Sequence, residues 1–230
     1  MVMKDKVVVI TGGSRGLGEC IARLLISKGA KVVISDIDVS QLQKTSVELG
    51  ATAIVADVTK EPDMQSLAQQ TVAQFGQIDL WINNAGIWLP RAPAEEIDMK
   101  RAHELFEVNL FGTMYGSRAA LAQMKKQSSG TILNIISTSA LQGRPNSSVY
   151  CASKYAIRGF TDSLRLELAD KGISVTAVYP GGMKTHLFDE SKPDDFDEYM
   201  SPDLAADKIV ENLEKTVPDP ELVLKRPGQL

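Results

Sequence analysis

Tyr150 and Lys154 stand four positions apart in the run YCASK, and this pairing of residue types is the first place to look for chemistry. On a helix, residues four apart share a face, so both side chains reach into the same space. A phenol with an ordinary pKa of about 10 is a poor base near neutrality. A neighbouring ammonium favours the phenolate and lowers that value, which makes the phenol usable as a proton donor and acceptor. The same spacing also describes a half-buried ring beside a solvated charge whose stem covers apolar surface. By itself the pair leaves both readings open.

A second element with chemical meaning is TGGSRGLG at residues 11–18, directly after an apolar run. Gly12, Gly16 and Gly18 let the backbone turn tightly and bring a diphosphate against a helix N-terminus, where free N–H groups and the dipole favour anions. A glycine cluster after a strand is also a common plain turn. Asp36 lies eighteen positions beyond Gly18, where a carboxylate can accept hydrogen bonds from the adenosine ribose hydroxyls. It also repels a 2′-phosphate, which favours NAD over NADP. Arg15, inside the turn, favours the phosphorylated cofactor and keeps NADP open. As plain structure, Asp36 is a turn residue and Arg15 a solvated charge.

Positioning these groups falls to an alternation of short β-branched runs and longer amphipathic stretches. Strands are predicted at 6–11, 31–36, 53–56, 80–83, 130–136 and 174–179, and helices at 16–28, 40–49, 63–75, 101–126, 149–169 and 202–215. This βαβα order predicts an α/β fold with a doubly wound parallel sheet that binds ligands beyond the carboxyl ends of its strands. No internal repeat or linker divides the chain, so one domain is expected over residues 1–230. The one compositional break, 186–199, crowds acidic residues around Ser, Lys and Pro. It reads either as an acidic surface segment or as a lid over the substrate, within a substrate loop spanning 182–202.

A net charge of -4 and a pI near 5.3 leave no excess of Lys and Arg for phosphate backbones or anionic lipid heads. Nucleic acid and membrane are therefore poor partners. The apolar run before Thr11 is shorter than the core of a signal peptide or a span, which predicts a cytoplasmic protein. Cys20 and Cys151 fall in predicted helices, outside any CxxC or Cys/His cluster, so neither a disulfide nor a metal site is expected. His103 and His186 belong to no motif.

Taken together, TGGSRGLG, Asp57, NNAG at 83–86, Asn109, Ser137, YCASK at 150–154 and PGGMKT at 180–185 give the chain a resemblance to the short-chain dehydrogenase/reductase family along nearly its whole length. The resemblance implies a Rossmann-like fold and an oxidoreductase that moves hydride between a nicotinamide cofactor and a carbonyl or secondary alcohol. It implies that Tyr150 protonates the carbonyl oxygen, Ser137 hydrogen-bonds the same oxygen, and Lys154 holds the nicotinamide ribose while lowering the Tyr150 pKa. Asn109 would position a water linking Lys154 to solvent. As plain structure, Asn109 makes a local helix hydrogen bond. Ser139, on the same side as Ser137 if the strand continues, is the fallback for Ser137.

For the cofactor, the resemblance implies binding by Gly12, Ser14, Arg15, Gly16, Leu17 and Gly18 of the turn, and by Asp36 with Ile37 after the second strand. Asp57 and Val58 belong at the adenine, and Asn83, Ala85 and Gly86 along the cleft. Tyr150 and Lys154 contact the nicotinamide side, with Pro180, Gly181, Met183 and Thr185 at the carboxamide. Asp57, Asn83 and Asn84 also read as turn residues. Trp88, Leu89, Met183, Leu187, Phe188, Tyr199 and Met200 are candidates for a substrate wall, or for core or subunit contact. The ending PDPELVLKRPGQL reads as lacking the family's terminal strand and VDGG-like tail. It resembles shorter hydroxy-acid and alcohol dehydrogenase-like members and weighs against a second enzyme reading, an NADPH-dependent ketoacyl reductase. A non-catalytic dinucleotide-binding regulator or scaffold is the alternative from another class. The family also implies a homodimer or homotetramer through the helices at 101–126 and 149–169.

Overall fold

The computed structural model describes residues 2–225. Seven strands, β1 (Val7–Thr11), β2 (Lys31–Asp36), β3 (Thr52–Val55), β4 (Leu80–Asn83), β5 (Gly130–Ile135), β6 (Ile173–Pro180) and β7 (Glu221–Leu224), form one sheet in the order β3-β2-β1-β4-β5-β6-β7. Every neighbouring pair is parallel. The helices are α1 (Gly16–Ser27), α2 (Val39–Leu49), α3 (Glu61–Phe75), α4 (Met99–Phe106), α5 (Gly112–Gln127), α6 (Ser148–Leu168) and α7 (Pro202–Glu214). The architecture is the doubly wound, Rossmann-like α/β fold.

The β1 sequence VVVIT is buried throughout, as a central parallel strand covered on both faces requires. Strand alternation sends Val8 and Ile10 to one face, where they meet Leu17, Ile21 and Leu25 of α1 and Ile209 and Leu213 of α7. Val9 goes to the other face, with Met64 and Leu67 of α3, Ala120 of α5 and Leu164 of α6. Each such side chain removed from water contributes about 1.5–3 kcal/mol. Two apolar layers therefore clamp the sheet, and its carboxyl edge is left to loops.

Two elements depart from expectation. Glu221–Leu224 pairs with β6 as a seventh strand, so the ending does carry a terminal strand. Its exposed Glu221 and Val223 hide it from a hydrophobicity reading, because an edge strand keeps one side in water. Residues 226–230, the tail of that ending, lie outside the described residues. The helix expected at 101–126 is two helices joined by a π-helical turn over Glu107–Phe111, in which the Gly112 amide reaches back to the Glu107 carbonyl. Such a turn inserts one residue into the ladder and is frequent at functional sites.

Candidate active site

The strand order reverses between β1 and β4, and the loops leaving their carboxyl ends part there to form a cleft of about 490 Å³. Gly12 opens its floor at φ +61°, and a Cβ there would lie 2.8 Å from the Ala85 Cα. A Cβ on Gly18 would collide with the Gly12 carbonyl oxygen. These two positions admit only glycine because the turn after β1 and the NNAG turn after β4 are pressed together. Asn84 fastens them, its Nδ2 donating to the carbonyls of Thr11 (3.0 Å) and Gly12 (2.8 Å). In return the Thr11 hydroxyl accepts from the Asn84 and Ala85 amides. α1 starts at Gly16 behind Arg15, which is extended and supplies no side-chain cap. The first-turn N–H groups are left for an anion.

Asp36 ends β2 on the cleft wall beside Ile37 and Arg15. Ser14, fully buried, donates its hydroxyl to Asp36 Oδ2 at 2.6 Å, and the Ile37 amide donates to Oδ1 at 2.8 Å. Ser14 itself is not on the wall; its place is beneath Asp36, holding the carboxylate in orientation. Asp57 and Val58 also line the cleft. Asp57 Oδ1 accepts from the Thr59 amide (3.0 Å) and hydroxyl (2.7 Å), and Lys60 stands 3.3 Å from Oδ2. Partial desolvation works against its charge, but those donors outweigh it and hold the carboxyl below its ordinary range. The turn reading of Asp57 and its place at the cleft hold together.

Asn83 does not face the cleft. It is buried, accepts from Trp81 Nε1 at 2.8 Å, and donates to Ser117 Oγ (2.9 Å) and Asn134 Oδ1 (2.8 Å). Asn134 passes the network on to Thr161. This chain of amides ties β4 and β5 to α5 and α6, so Asn84, not Asn83, is the residue of that pair on the wall. Gly18 likewise lies behind the turn.

Farther along, α6 brings Tyr150 and Lys154 to the cleft on one face, as their spacing predicts. Lys154 Nζ lies 5.6 Å from the Tyr150 ring centroid. Ser137, where the chain leaves β5, lines the same stretch of wall and acts on the Tyr150 phenol to favour its charged form. Ser139 also lines the cleft, but not by strand alternation with Ser137, because the strand stops at Ile135 and the chain winds into a 3₁₀ turn over Thr138–Ala140. Ser137 caps that turn, with its Oγ accepting the Ser139 amide at 3.1 Å, so strand alternation no longer relates the two serines.

The electrostatics correct a second expectation. Tyr150 keeps part of its surface open to the cleft, yet desolvation by the surrounding protein pushes its phenol up to about 12, against the influence of Ser137. Lys154, only 6% exposed, is pushed down to about 8 by burial. In this structure burial, not the ammonium, governs the phenol, because both charges have lost their water.

Asn109 sits in the π-helical turn, 1% exposed. Its Oδ1 accepts from the Ile87 amide at 2.8 Å, and its Nδ2 donates to the Ile87 carbonyl at 3.0 Å. In place of the local helix bond of the plain-structure alternative, its side chain clamps the residue after NNAG. A Cβ built on Gly86 would lie 3.2 Å from Asn109 Oδ1 and 3.8 Å from Lys154 Nζ, which shows how closely the three are gathered.

The far end is walled by Trp88, Met183, Leu187, Phe188 and Tyr199, with Arg91 and Arg144 beside them. Phe188 meets Trp88 at 5.2 Å and Tyr199 at 5.4 Å between ring centroids, both edge-on. Leu89 faces a smaller adjoining cavity and Met200 is buried in the core. The segment from 182 to 202 is drawn over the cleft by a bridge between Met183 and Met200 and by Arg101, whose guanidinium grips Glu190 at 2.6 and 2.7 Å. Asp189, Asp194, Asp197 and Glu198 face solvent, so the segment is acidic outside and aromatic inside. Sequence reasoning missed Ala56, Ile87, Arg91, Val108, Ile135, Ile136, Thr138 and Arg144 on the wall. None carries a motif; the ends of β3 and β5 place Ala56, Ile135 and Ile136, and the loops and turns beyond the strands place the others.

The pieces fit a dinucleotide: an uncapped helix start for the diphosphate, Asp36 for ribose hydroxyls, and in Lys154 a buried ammonium suited to hydroxyl acceptors. A sequence model described as short chain dehydrogenase matches residues 6–195. Among similar proteins, an uncharacterised oxidoreductase of Staphylococcus saprophyticus is 36% identical over 228 residues, covering 95% of this chain and 92% of its own. A diacetyl reductase ((S)-acetoin forming) of Staphylococcus epidermidis is 38% identical over 191 residues, covering 80% and 74%. Among solved structures, a 3-ketoacyl-(acyl-carrier-protein) reductase from Brucella melitensis complexed with NADH superposes with a TM-score of 0.92 at 29% identity, over 98% of each chain. An alcohol dehydrogenase from Thermococcus sibiricus complexed with 5-hydroxy-NADP gives 0.89 at 28%, over 99% of each. No described helix is long and apolar enough to cross a membrane. The protein belongs to the short-chain dehydrogenase/reductase family of NAD(P)-dependent oxidoreductases.

Proposed function

We propose that the protein interconverts a carbonyl and a secondary alcohol with Tyr150 as acid and base, Ser137 as partner on the same oxygen, and NAD as the favoured cofactor. The observation that carries this reading is the convergence of Ser137, Tyr150 and Lys154 on one cleft whose other end bears the uncapped start of α1 and Asp36. A bound nicotinamide supplies the hydride for reduction and takes it in oxidation. At neutral pH the phenol is protonated, the form that donates to an oxygen gaining negative charge. Ser137 adds a second hydroxyl at that oxygen, where stabilisation matters most. Lys154 holds ribose hydroxyls and brings positive charge near the phenol. Asn109, with its side chain spent on Ile87, is a positioning residue that fixes the NNAG turn against Lys154.

Asp36 supports NAD because its carboxylate is held rigidly by Ser14 and by the Ile37 amide, turned to the cleft where a 2′-phosphate would meet it. The deciding experiment measures oxidation of NADH and NADPH against ketones, aldehydes, oxo acids and diketones, with Tyr150→Phe alongside. Turnover is expected to favour NADH and to fall by about 10²–10⁴ in the variant, with dinucleotide binding nearly unchanged. Equal loss of binding and turnover would remove Tyr150 from its assigned role. Binding of a dinucleotide without turnover on any carbonyl would favour a regulator.

A further inference from the structure

The charge along the cleft is asymmetric. Its carboxylates Asp36 and Asp57 lie at the glycine-turn end, where they outnumber Arg15, while Arg91 and Arg144 lie at the far end with Tyr150. The two arginines come from separate loops zipped together where the Ala92 amide donates to the Asn146 carbonyl at 3.0 Å. Arg144 is anchored toward the reacting groups, its Nη2 donating to Thr138 Oγ1 at 3.2 Å, one residue from Ser137. Its charge also acts on the Tyr150 phenol, opposing the desolvation that raises it. The one carboxylate on this part of the wall, Glu190, is taken in bidentate fashion by Arg101. Among the described residues no carboxylate pairs with Arg91 or Arg144. Two unneutralised guanidiniums therefore face the space that holds the substrate in a chain of net charge -4.

Building on the oxidoreductase reading, we propose that the substrate is a hydroxy acid or its oxo acid, with Arg144, assisted by Arg91, binding the carboxylate. The planar guanidinium fork matches a carboxylate with two parallel hydrogen bonds, which fixes orientation as well as charge. Reduction places one hydride on the carbonyl carbon and one proton from Tyr150 on its oxygen. The cofactor is oxidised, the oxo acid becomes the hydroxy acid, and the carboxylate is unchanged.

The experiment compares kcat/KM for 2-, 3- and 4-oxo acids with their methyl esters, which keep the carbonyl and remove the charge. The wild type is expected to favour at least one acid over its ester by about tenfold or more, and Arg144→Gln to reduce that ratio about tenfold, mainly through KM. Arg144→Lys should restore part of it, since charge returns without the fork, and Arg91→Gln should reduce it less. Equal or better use of the esters throughout, no turnover of any acid, or an acid-to-ester ratio unmoved by Arg144→Gln overturns the inference. Tyr150-dependent reduction of a neutral diketone in those cases leaves the proposed function standing, so the two failures are distinguishable.

Discussion

At the glycine-turn end of the cleft, the side chains of the acids and of Asn84 are already held within the protein, Asp36 by Ser14 and Ile37, Asp57 by Thr59 and Lys60, Asn84 by the Thr11 and Gly12 carbonyls, and the uncapped start of α1 is left open between them. At the far end the wall is made by side chains on loops. The aromatic group of Trp88, Phe188 and Tyr199 packs edge to edge, and Arg91 and Arg144 keep their guanidiniums exposed. The first end is preorganised for one molecule; the second can be re-cut by changing loop residues. Between them lies Lys154, buried in a position that costs the fold and that the proposed function assigns to the chemistry.

The largest effect separating the two ends is expected from Lys154→Met. Turnover should fall by about 10²–10⁴. Stability should move the other way. Because the folded pKa of Lys154 is about 8, the folded state binds fewer protons than the unfolded chain between about pH 8 and pH 10.5. Wild-type stability therefore rises with pH across that window, and the full cost of the buried charge is borne below it. Removing the ammonium should stabilise the protein at pH 7 by up to about 3 kcal/mol and flatten the rise. Urea midpoints of both proteins between pH 7.5 and 9.5 check this; parallel curves would mean that Lys154 is solvated.

A second, smaller effect tests the preorganised end. Asp36→Ala should raise the NADPH-to-NADH ratio of kcat/KM about tenfold to a hundredfold, the worth of hydrogen bonds to a charged group, with little change in carbonyl preference. An unmoved cofactor ratio would mean that Asp36 serves only to hold Ser14 and the start of α2. The smallest effect belongs to the far end. Glu190→Gln frees an exposed tie between the 182–202 segment and α4, so KM should rise by less than about fivefold and thermal stability should hardly change. A collapse of kcat with KM unchanged would instead make that tie part of the reacting geometry.

Much of the preorganised end was legible in the sequence because it is built from local chemistry. A glycine that must avoid a neighbouring backbone, or an acid closing a strand, depends on few residues close in the chain. The site residues Tyr150 and Lys154 were legible for the same reason, as helical spacing alone places them together. Ser14, Gly18 and Asn83, expected at the cofactor, lie behind the cleft wall, since packing decides whether a residue of a turn or strand end points to ligand or into a network. Thr138, Arg91 and Arg144 were missed because loop conformations follow from contacts with distant segments, here the pairing of residues 92 and 146.

The sequence by itself determined the alternation of apolar runs, and with it the parallel α/β sheet, the glycine turn and the Tyr/Lys pair, because each rests on periodicity or short spacing. Only the tertiary structure decided the seventh strand, the π-helical turn that aims Asn109 at Ile87, the 3₁₀ turn that separates Ser137 from Ser139, and the high phenol beside a depressed lysine. Those depend on edge pairing, on a ladder interrupted by packing and on water excluded by atoms far apart in the chain, and no local pattern encodes them.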